Sequence, residues 1–331
     1  MLKFDEQKQL DSVNGALALR GQIEEIVDAI CEEGYRNICW MGIGGTWASC
    51  LQAEVHMKER SAIELFSQNA AEYMATGNRR IGAGTIVIGS SESGSTAEMV
   101  AAVGKARAEG AKILGFIDKA DAPLAGMVDA VISYRSNEQL KFFMVADRFM
   151  KNAGEFDDYD EFYEEMDASL AKALVEVEKS ADAFGREFAQ KHCNDRLHYF
   201  VGAGNQYGAT YSYAMCYWEE QHWIRTKSIH SAEFFHGMLE VIEKDTPVTV
   251  FIGEDSQRKL SERVAAFLPK VCANYTIIDT KDYALEGISE KYRGNISHLV
   301  MHAVTQRIDA HMEQINCHPM VIRRYYRQFD Y

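Results

Sequence analysis

The stretch from Trp218 to Gly237, WEEQHWIRTKSIHSAEFFHG, gathers three glutamates and three histidines within 20 residues. Carboxylates and imidazoles are the side chains most often used to give and take protons near neutral pH. On a continuous helix Tyr213, Cys216, Trp223 and Ile224 would share a face with Glu220, at spacings of 3, 4 and 7 residues. A carboxylate set in such an apolar stripe loses solvation, which raises its pKa toward a useful range. A plainer reading puts Glu219 and Glu220 together at the edge of a solvated face, and helix geometry alone does not choose between the two.

A second segment suits anion binding. Gly89-Ser90-Ser91-Glu92-Ser93-Gly94-Ser95-Thr96 packs five hydroxyls into eight residues, after a β-branched run and before a helical pattern. Backbone N–H groups at a helix start, joined by Ser and Thr hydroxyls, cradle a phosphate monoester without needing a lysine. One hydroxyl there would read as an ordinary N-cap; capping does not call for five. Nucleotide signatures are weaker. Gly42-Ile43-Gly44 and Gly202-Ala203-Gly204 begin like a dinucleotide fingerprint, but Trp47 and Tyr207 stand where a third glycine belongs. No triphosphate-binding G-x-x-x-x-G-K-[ST] occurs.

The elements that must carry these residues recur along the chain. Gly42 and Gly202, each ending an apolar run, are 160 residues apart; Gly89 and Gly253 are 164 apart; Asp118 and Asp279 are 161 apart. Three strand-and-turn signals in the same order at nearly constant offset point to an internal duplication of about 160 residues. Within each copy, apolar runs such as Thr85-Ile86-Val87-Ile88 alternate with longer amphipathic stretches such as Ala97–Gly110. That alternation predicts an α/β fold with parallel sheets covered by helices on both faces. Ligands in such sheets collect at the carboxyl ends of strands, where both glycine turns fall.

Composition narrows the setting. The chain has 331 residues, 47% hydrophobic and 25% charged, enough for two domains with cores of their own. A formal net charge of −14 and the lack of any Lys/Arg block argue against nucleic acid and anionic membrane surfaces as partners. No apolar run is long enough to span a bilayer, and the charged start MLKFDEQK does not read as a signal peptide. Seven scattered cysteines with no C-x-x-C predict reduced thiols, no zinc site and a cytoplasmic location. The acidic run Glu155–Glu165 reads as a solvated helix or a connection between domains.

These residues resemble the sugar isomerase (SIS) domain family, in particular its tandem members. Ser91, Ser93, Gly94 and Thr96 match the S-x-S-G-x-T phosphate loop, Gly44-Gly45-Thr46-Trp47 the first-strand turn, and Asp121-Ala122-Pro123-Leu124-Ala125 the D-S-P-L-A segment. The resemblance implies two tandem SIS domains, residues 1–165 and 166–331, each built on a mainly parallel five-stranded sheet. It implies that Thr46, Ser91, Ser93 and Thr96 hold a sugar phosphate, with Gly45, Trp47 and Glu92 beside them. Glu92 departs from the family pattern, where Gln is usual; a carboxylate there must point away from phosphate or meet a cationic part of the ligand.

The family's catalytic segment places a helix-borne Glu 16 residues before the His of G-E-[FL]-x-H-G. Here that His is His236, in Ala232-Glu233-Phe234-Phe235-His236-Gly237, so the match selects Glu220 and not Glu219. The resemblance implies sugar-ring opening by His236 and proton transfer between C1 and C2 by Glu220. It leaves Glu233 to orient the loop, and His222 and His230 to packing. Related dimers supply the histidine across the subunit interface, which implies a homodimer with shared sites. The synthase branch ends in a tail lysine that forms a Schiff base, whereas this chain has no lysine after Lys291 and ends in an R-R-Y-containing tail like the deglycases. No glutaminase domain for ammonia supply lies within these residues. The expected activity is therefore cleavage of a fructosamine 6-phosphate to glucose 6-phosphate and an amine, with no cofactor or metal. Arg323, Arg324 or Arg327 is then a candidate contact for an amino-acid carboxylate. A plain aldose–ketose phosphosugar isomerase and a non-catalytic phosphosugar sensor are the alternatives.

Overall fold

A computed structural model describes residues 1–326, 328 and 329. The chain divides into two units, Lys8–Ala168, and Met1–Gln7 together with Ser169–Tyr331. In the first unit five parallel strands are ordered β2-β1-β3-β4-β5. They are β1 (Asn37–Gly42), β2 (Leu65–Asn69), β3 (Thr85–Ser91), β4 (Lys112–Ile117) and β5 (Ala130–Ile132). Every residue of β1 and β3 is buried, which is why these runs are continuously apolar instead of alternating. One face of the sheet packs a core of Cys39, Met41, Val87, Ile113 and Ile117 against Met99, Ala102, Val103 and Ala106 of the helix Ala97–Ala108.

In the second unit four parallel strands are ordered β7-β6-β8-β9. They are β6 (His198–Gly202), β7 (Thr226–His230), β8 (Val248–Ile252) and β9 (Tyr275–Asp279). The order is that of the first sheet without its fifth strand. The expectation of five strands in each sheet is corrected here, and the reason is chain length. Between β4 and the next long helix, Glu138–Asn152, the first unit has 20 residues, Asp118–Asn137, which include β5. Between β9 and the helix Glu290–Asn316 the second unit has only ten residues, Thr280–Ser289. The recurring glycines take equivalent places, Gly42 ending β1 and Gly202 ending β6.

Two pieces of chain join their units in ways the sequence did not announce. The N-terminal residues belong to the second unit because the buried Arg307 guanidinium donates to the Leu2 carbonyl at 2.7 Å, while also pairing with Asp182 at 2.6 Å. The acidic run takes the helical one of its two expected forms. It forms the helix Tyr159–Glu165 in the first unit, where Tyr159, Phe162 and Tyr163 are buried and Tyr163 donates to Asp147 at 2.7 Å. Its carboxylates face outward while its aromatics, spaced by three and four residues, anchor it. Among the described residues no helix is long and apolar enough to cross a membrane.

Candidate active site

Strand order reverses between β1 and β3, because β2 lies on one side of β1 and β3 on the other. The turns leaving these two strands therefore diverge and open a crevice at their carboxyl ends. Gly44-Gly45-Thr46-Trp47 leaves β1 and Ser91–Thr96 leaves β3, so the predicted phosphate residues meet at the switch point of the first unit. Gly44 has φ +62°, and a Cβ built on it would meet nothing within 4 Å, so the space above this turn is open.

The serine loop is shaped by its own hydroxyls. Ser91 Oγ accepts the Gly94 N–H at 3.0 Å and lies 3.5 Å from Thr96 Oγ1; Ser93 Oγ accepts the Ser95 N–H at 3.3 Å. Thr96 occupies the cap position of the helix Ala97–Ala108, yet its side chain makes no capping bond to that helix. That leaves the first N–H groups of the helix without a bond from the Thr96 side chain. Gly94, at φ +60°, fits closely against the Ala122-Pro123-Leu124 segment. A Cβ there would lie 2.3 Å from Ala122 Cβ, and the Leu124 N–H donates to the Gly94 carbonyl at 3.1 Å. The D-A-P-L-A motif is thus the backing of the serine loop. Glu92 is exposed.

Two neighbours of this crevice escaped the sequence reading. Thr46 Oγ1 donates to Glu138 at 2.9 Å, across 92 residues of chain. Buried Lys141 donates to the Tyr134 carbonyl at 2.6 Å and lies 3.5 Å from Asp118, just past β4. Burial raises the Asp118 carboxyl above its ordinary range; the nearby Lys141 opposes the rise, while the charges of Glu92 and Glu138 add to it. No local pattern marks either contact, since each joins residues from separate elements.

The same place in the second unit is filled by the protein itself. Gly204 has φ +61°, matching Gly44, but a Cβ on it would fall 2.2 Å from Asp255 Oδ1. Asp255 follows β8 and accepts the Asn205 N–H at 2.9 Å and the Gln257 N–H at 2.9 Å. Neighbouring Glu254 is bound by Arg293 through two contacts of 2.8 Å. A carboxylate of the chain stands where the first unit keeps an open cradle.

The titratable segment of the second unit departs from the expected continuous helix. From Tyr213 to Glu219 the backbone winds as a π-helical turn, with the Glu220 N–H donating to the Met215 carbonyl five residues back at 3.0 Å. The helix then stops. Trp223 takes φ +60°, and the Ile224 N–H turns back to the Trp218 carbonyl at 2.9 Å. Trp223 and Ile224 consequently do not extend an apolar stripe under Glu220, and that expectation is corrected. Wider winding of five residues per hydrogen bond is invisible to a 3.6-residue pattern.

Glu220 instead keeps 36% of its side chain exposed and accepts from Arg323 Nε at 2.7 Å. Glu219 is engaged elsewhere, accepting the Thr226 hydroxyl at 2.9 Å and its N–H at 3.2 Å. His236 is exposed at the end of the short helical turn Phe234–His236, which buried Phe234 pins to the core. His230 packs on Tyr207 and its Nδ1 accepts the Ala232 N–H at 3.1 Å. His222 is buried, with Nε2 3.0 Å from Asp309, which also accepts from Tyr213 at 3.0 Å. Arg324 lies over the Trp223 ring at 4.0 Å; Arg327 and the terminal Tyr331 fall outside the described residues.

One further cluster, His192, Asp195 and His198, brings three ligand-type side chains together. Both imidazole Nδ1 atoms lie 2.8 Å from the same Asp195 oxygen, and His198 Nε2 lies 2.8 Å from Thr249 Oγ1. These are hydrogen-bond distances. The group sits at the amino end of β6, the opposite end of the strand from its glycine turn.

Comparison with known proteins finds relatives for parts or most of this chain. Residues 34–147 match the family model of the SIS domain. The chain is 27% identical to the fructosamine deglycase FrlB of Bacillus subtilis, over 89% of this chain and 92% of the relative. It is 24% identical to the fructoselysine 6-phosphate deglycase of Escherichia coli O157:H7, over 78% of this chain and 76% of the relative. A solved Bacillus subtilis structure described as a candidate phosphosugar isomerase superposes with a TM-score of 0.88 at 24% identity, covering 94% of this chain and all of that one.

Proposed function

We propose that this chain, whose residues 34–147 match the SIS domain model, is a member of that family and a deglycase that cleaves a fructosamine 6-phosphate to glucose 6-phosphate and a free amine. Similarity to two deglycases over most of the chain supports the reaction class. One observation carries the choice within the family. The residue that the tail brings to Glu220 is Arg323, at 2.7 Å, and an arginine cannot form the Schiff base that an amino-sugar synthase builds with its substrate. Release of an amine here then calls for a substrate that brings its own nitrogen, as an Amadori product does.

In this reading the phosphate rests on the open cradle formed by Gly45, Thr46, Trp47, Ser91, Ser93 and Thr96, with helix N–H groups supplying much of its attraction. His236 protonates and deprotonates the ring oxygen and anomeric hydroxyl to open the sugar; its exposure supports a role toward substrate. Glu220 takes a proton from C1, giving an enaminol, and the proton is returned at C2. The C1–nitrogen bond is then an imine, and water hydrolyses it to the aldehyde of glucose 6-phosphate and the amine. No redox partner is required. We further propose that the duplicated units arose from one ancestor, that the enzyme works as a homodimer sharing its histidine across the interface, and that its free cysteines reside in the cytoplasm.

Incubation with the 6-phosphates of fructose-glycine, fructose-lysine and fructose-asparagine, with glucose 6-phosphate as the readout, tests the reading. Release from at least one is expected. Turnover of fructose 6-phosphate alone would assign a plain isomerase, and binding without turnover of either would assign a sensor.

A further inference from the structure

The Arg323–Glu220 pair is incomplete on both sides. Glu220 takes one N–H of the guanidinium, the Nε proton, through Oε1 alone. Arg323 Nη1 is turned back on the tail, donating to the Met320 and Ile322 carbonyls. Nη2 has no protein partner among the described residues. The edge of the guanidinium formed by Nε and Nη2, the fork that fits a carboxylate with two parallel hydrogen bonds, is therefore only half used.

The tail holds that edge in place. Trp223, at φ +60°, packs at a tilt against His318 with ring centroids 4.0 Å apart and lies under Arg324 at 4.0 Å. One ring thus grips the tail on both sides of Arg323, which keeps 21% of its side chain exposed beside the candidate base.

We infer that Arg323 is a specificity-determining residue that reads a carboxylate on the amine portion of the substrate and, in binding it, releases Glu220 for proton transfer. The inference rests on the deglycase reading above. A carboxylate on the carbon next to the ketosamine nitrogen stands only three bonds from C1. It is therefore presented close to the atom that Glu220 must reach. Such a carboxylate takes both Nε–H and Nη2–H, whereas Glu220 holds one, so a fork of two charge-assisted bonds replaces a single bond. Glu220 gives up Oε1 and faces C1 with both oxygens free. No bond is made or broken in the exchange, and charge is conserved because one carboxylate replaces another. An amine without a carboxylate leaves Glu220 latched.

The test compares the 6-phosphates of fructose-glycine and fructose-methylamine, which differ only by that carboxylate. The wild-type protein is expected to favour the glycine adduct about 10- to 100-fold in kcat/KM, the range of a charged hydrogen-bond pair. Arg323→Gln is expected to bring the ratio close to one, whichever way the methylamine rate itself moves. Arg323→Lys, a point charge without the fork, is expected to restore only part of it. Equal turnover of both adducts by the wild type, or an unchanged ratio in Arg323→Gln, would overturn the inference and leave the deglycase reading standing. Failure of the wild type to release glucose 6-phosphate from any ketosamine would sink the reading itself and the inference with it.

Discussion

Asp255 lies across Gly204, its Oδ1 only 2.2 Å from where a Cβ would be, while the equivalent Gly44 faces open space. Both glycines have the same left-handed backbone, φ +61° and +62°, so the difference is made by the loop after the neighbouring strand. After β3 that loop is rich in hydroxyls; after β8 it is Gly253-Glu254-Asp255-Ser256-Gln257. A carboxylate supplied by the chain takes the Asn205 N–H that opens the helix after Gly204, a group of the kind a phosphate would otherwise seek. Asp255→Ala is therefore expected to destabilise the second unit by about 1–2 kcal/mol, the worth of a lost cap. Urea unfolding checks this. The KM for the phosphosugar is expected to stay put, since the open cradle belongs to the first unit.

Thr96 predicts the opposite pattern. Its hydroxyl makes no capping bond to its helix, so Thr96→Val removes little from the fold. If the loop holds phosphate, the loss of one hydrogen bond to a charged group costs about 1.5–3 kcal/mol of binding. The expected result is a KM about 10- to 100-fold higher with little change in kcat. Inhibition by inorganic phosphate, measured in parallel, is expected to weaken by a similar factor.

Glu220 and Glu219 are neighbours with separable roles. Glu219 accepts from Thr226, whereas Glu220 accepts from the guanidinium of Arg323. Glu220→Gln keeps the size of the side chain and removes its basicity, and is expected to lower kcat by at least about 100-fold, the usual share of a general base. Glu219→Gln is expected to change kcat by less than about threefold, since an amide still accepts from Thr226 through its carbonyl oxygen. Solvent deuterium exchange into C1 of the recovered substrate, by reversal of the deprotonation, gives an independent reading of the same step: it is expected to vanish in Glu220→Gln.

What was legible in the sequence was local. The G-I-G-G-T and G-S-S-E-S-G-S-T turns follow buried β-branched or apolar runs, and both emerge at the switch point because strand, turn and helix are consecutive. The aromatics Tyr159, Phe162 and Tyr163 carried a helical spacing that the surrounding charge concealed. Contacts that close across the chain were not legible. Thr46 meets Glu138 after 92 residues and Glu220 meets Arg323 after 103. No periodicity links such partners, because tertiary packing alone brings them together. The π-helical turn before Glu220 was hidden for a different reason: its winding breaks the period by which a helical face is counted.

The buried His198 gives a pH dependence whose sign is fixed by its environment. Burial chiefly, aided by the charges of His192 and Lys191 and opposed by Asp195, lowers its pKa from the ordinary 6.5 to about 4. Between these values the unfolded chain binds a proton that the folded chain excludes, so stability rises with pH through this window. The contribution is fully present above about pH 6.5 and is lost as pH falls toward 4, an effect on the order of 3 kcal/mol. Urea midpoints are expected to drop steadily from pH 7 to pH 4.5. In His198→Gln, an amide that does not titrate replaces the imidazole between Asp195 and Thr249. That variant starts less stable at pH 7, and the difference from the wild type is expected to shrink as pH falls. A constant difference across the range would mean that His198 shares its proton equally between the folded and unfolded chains.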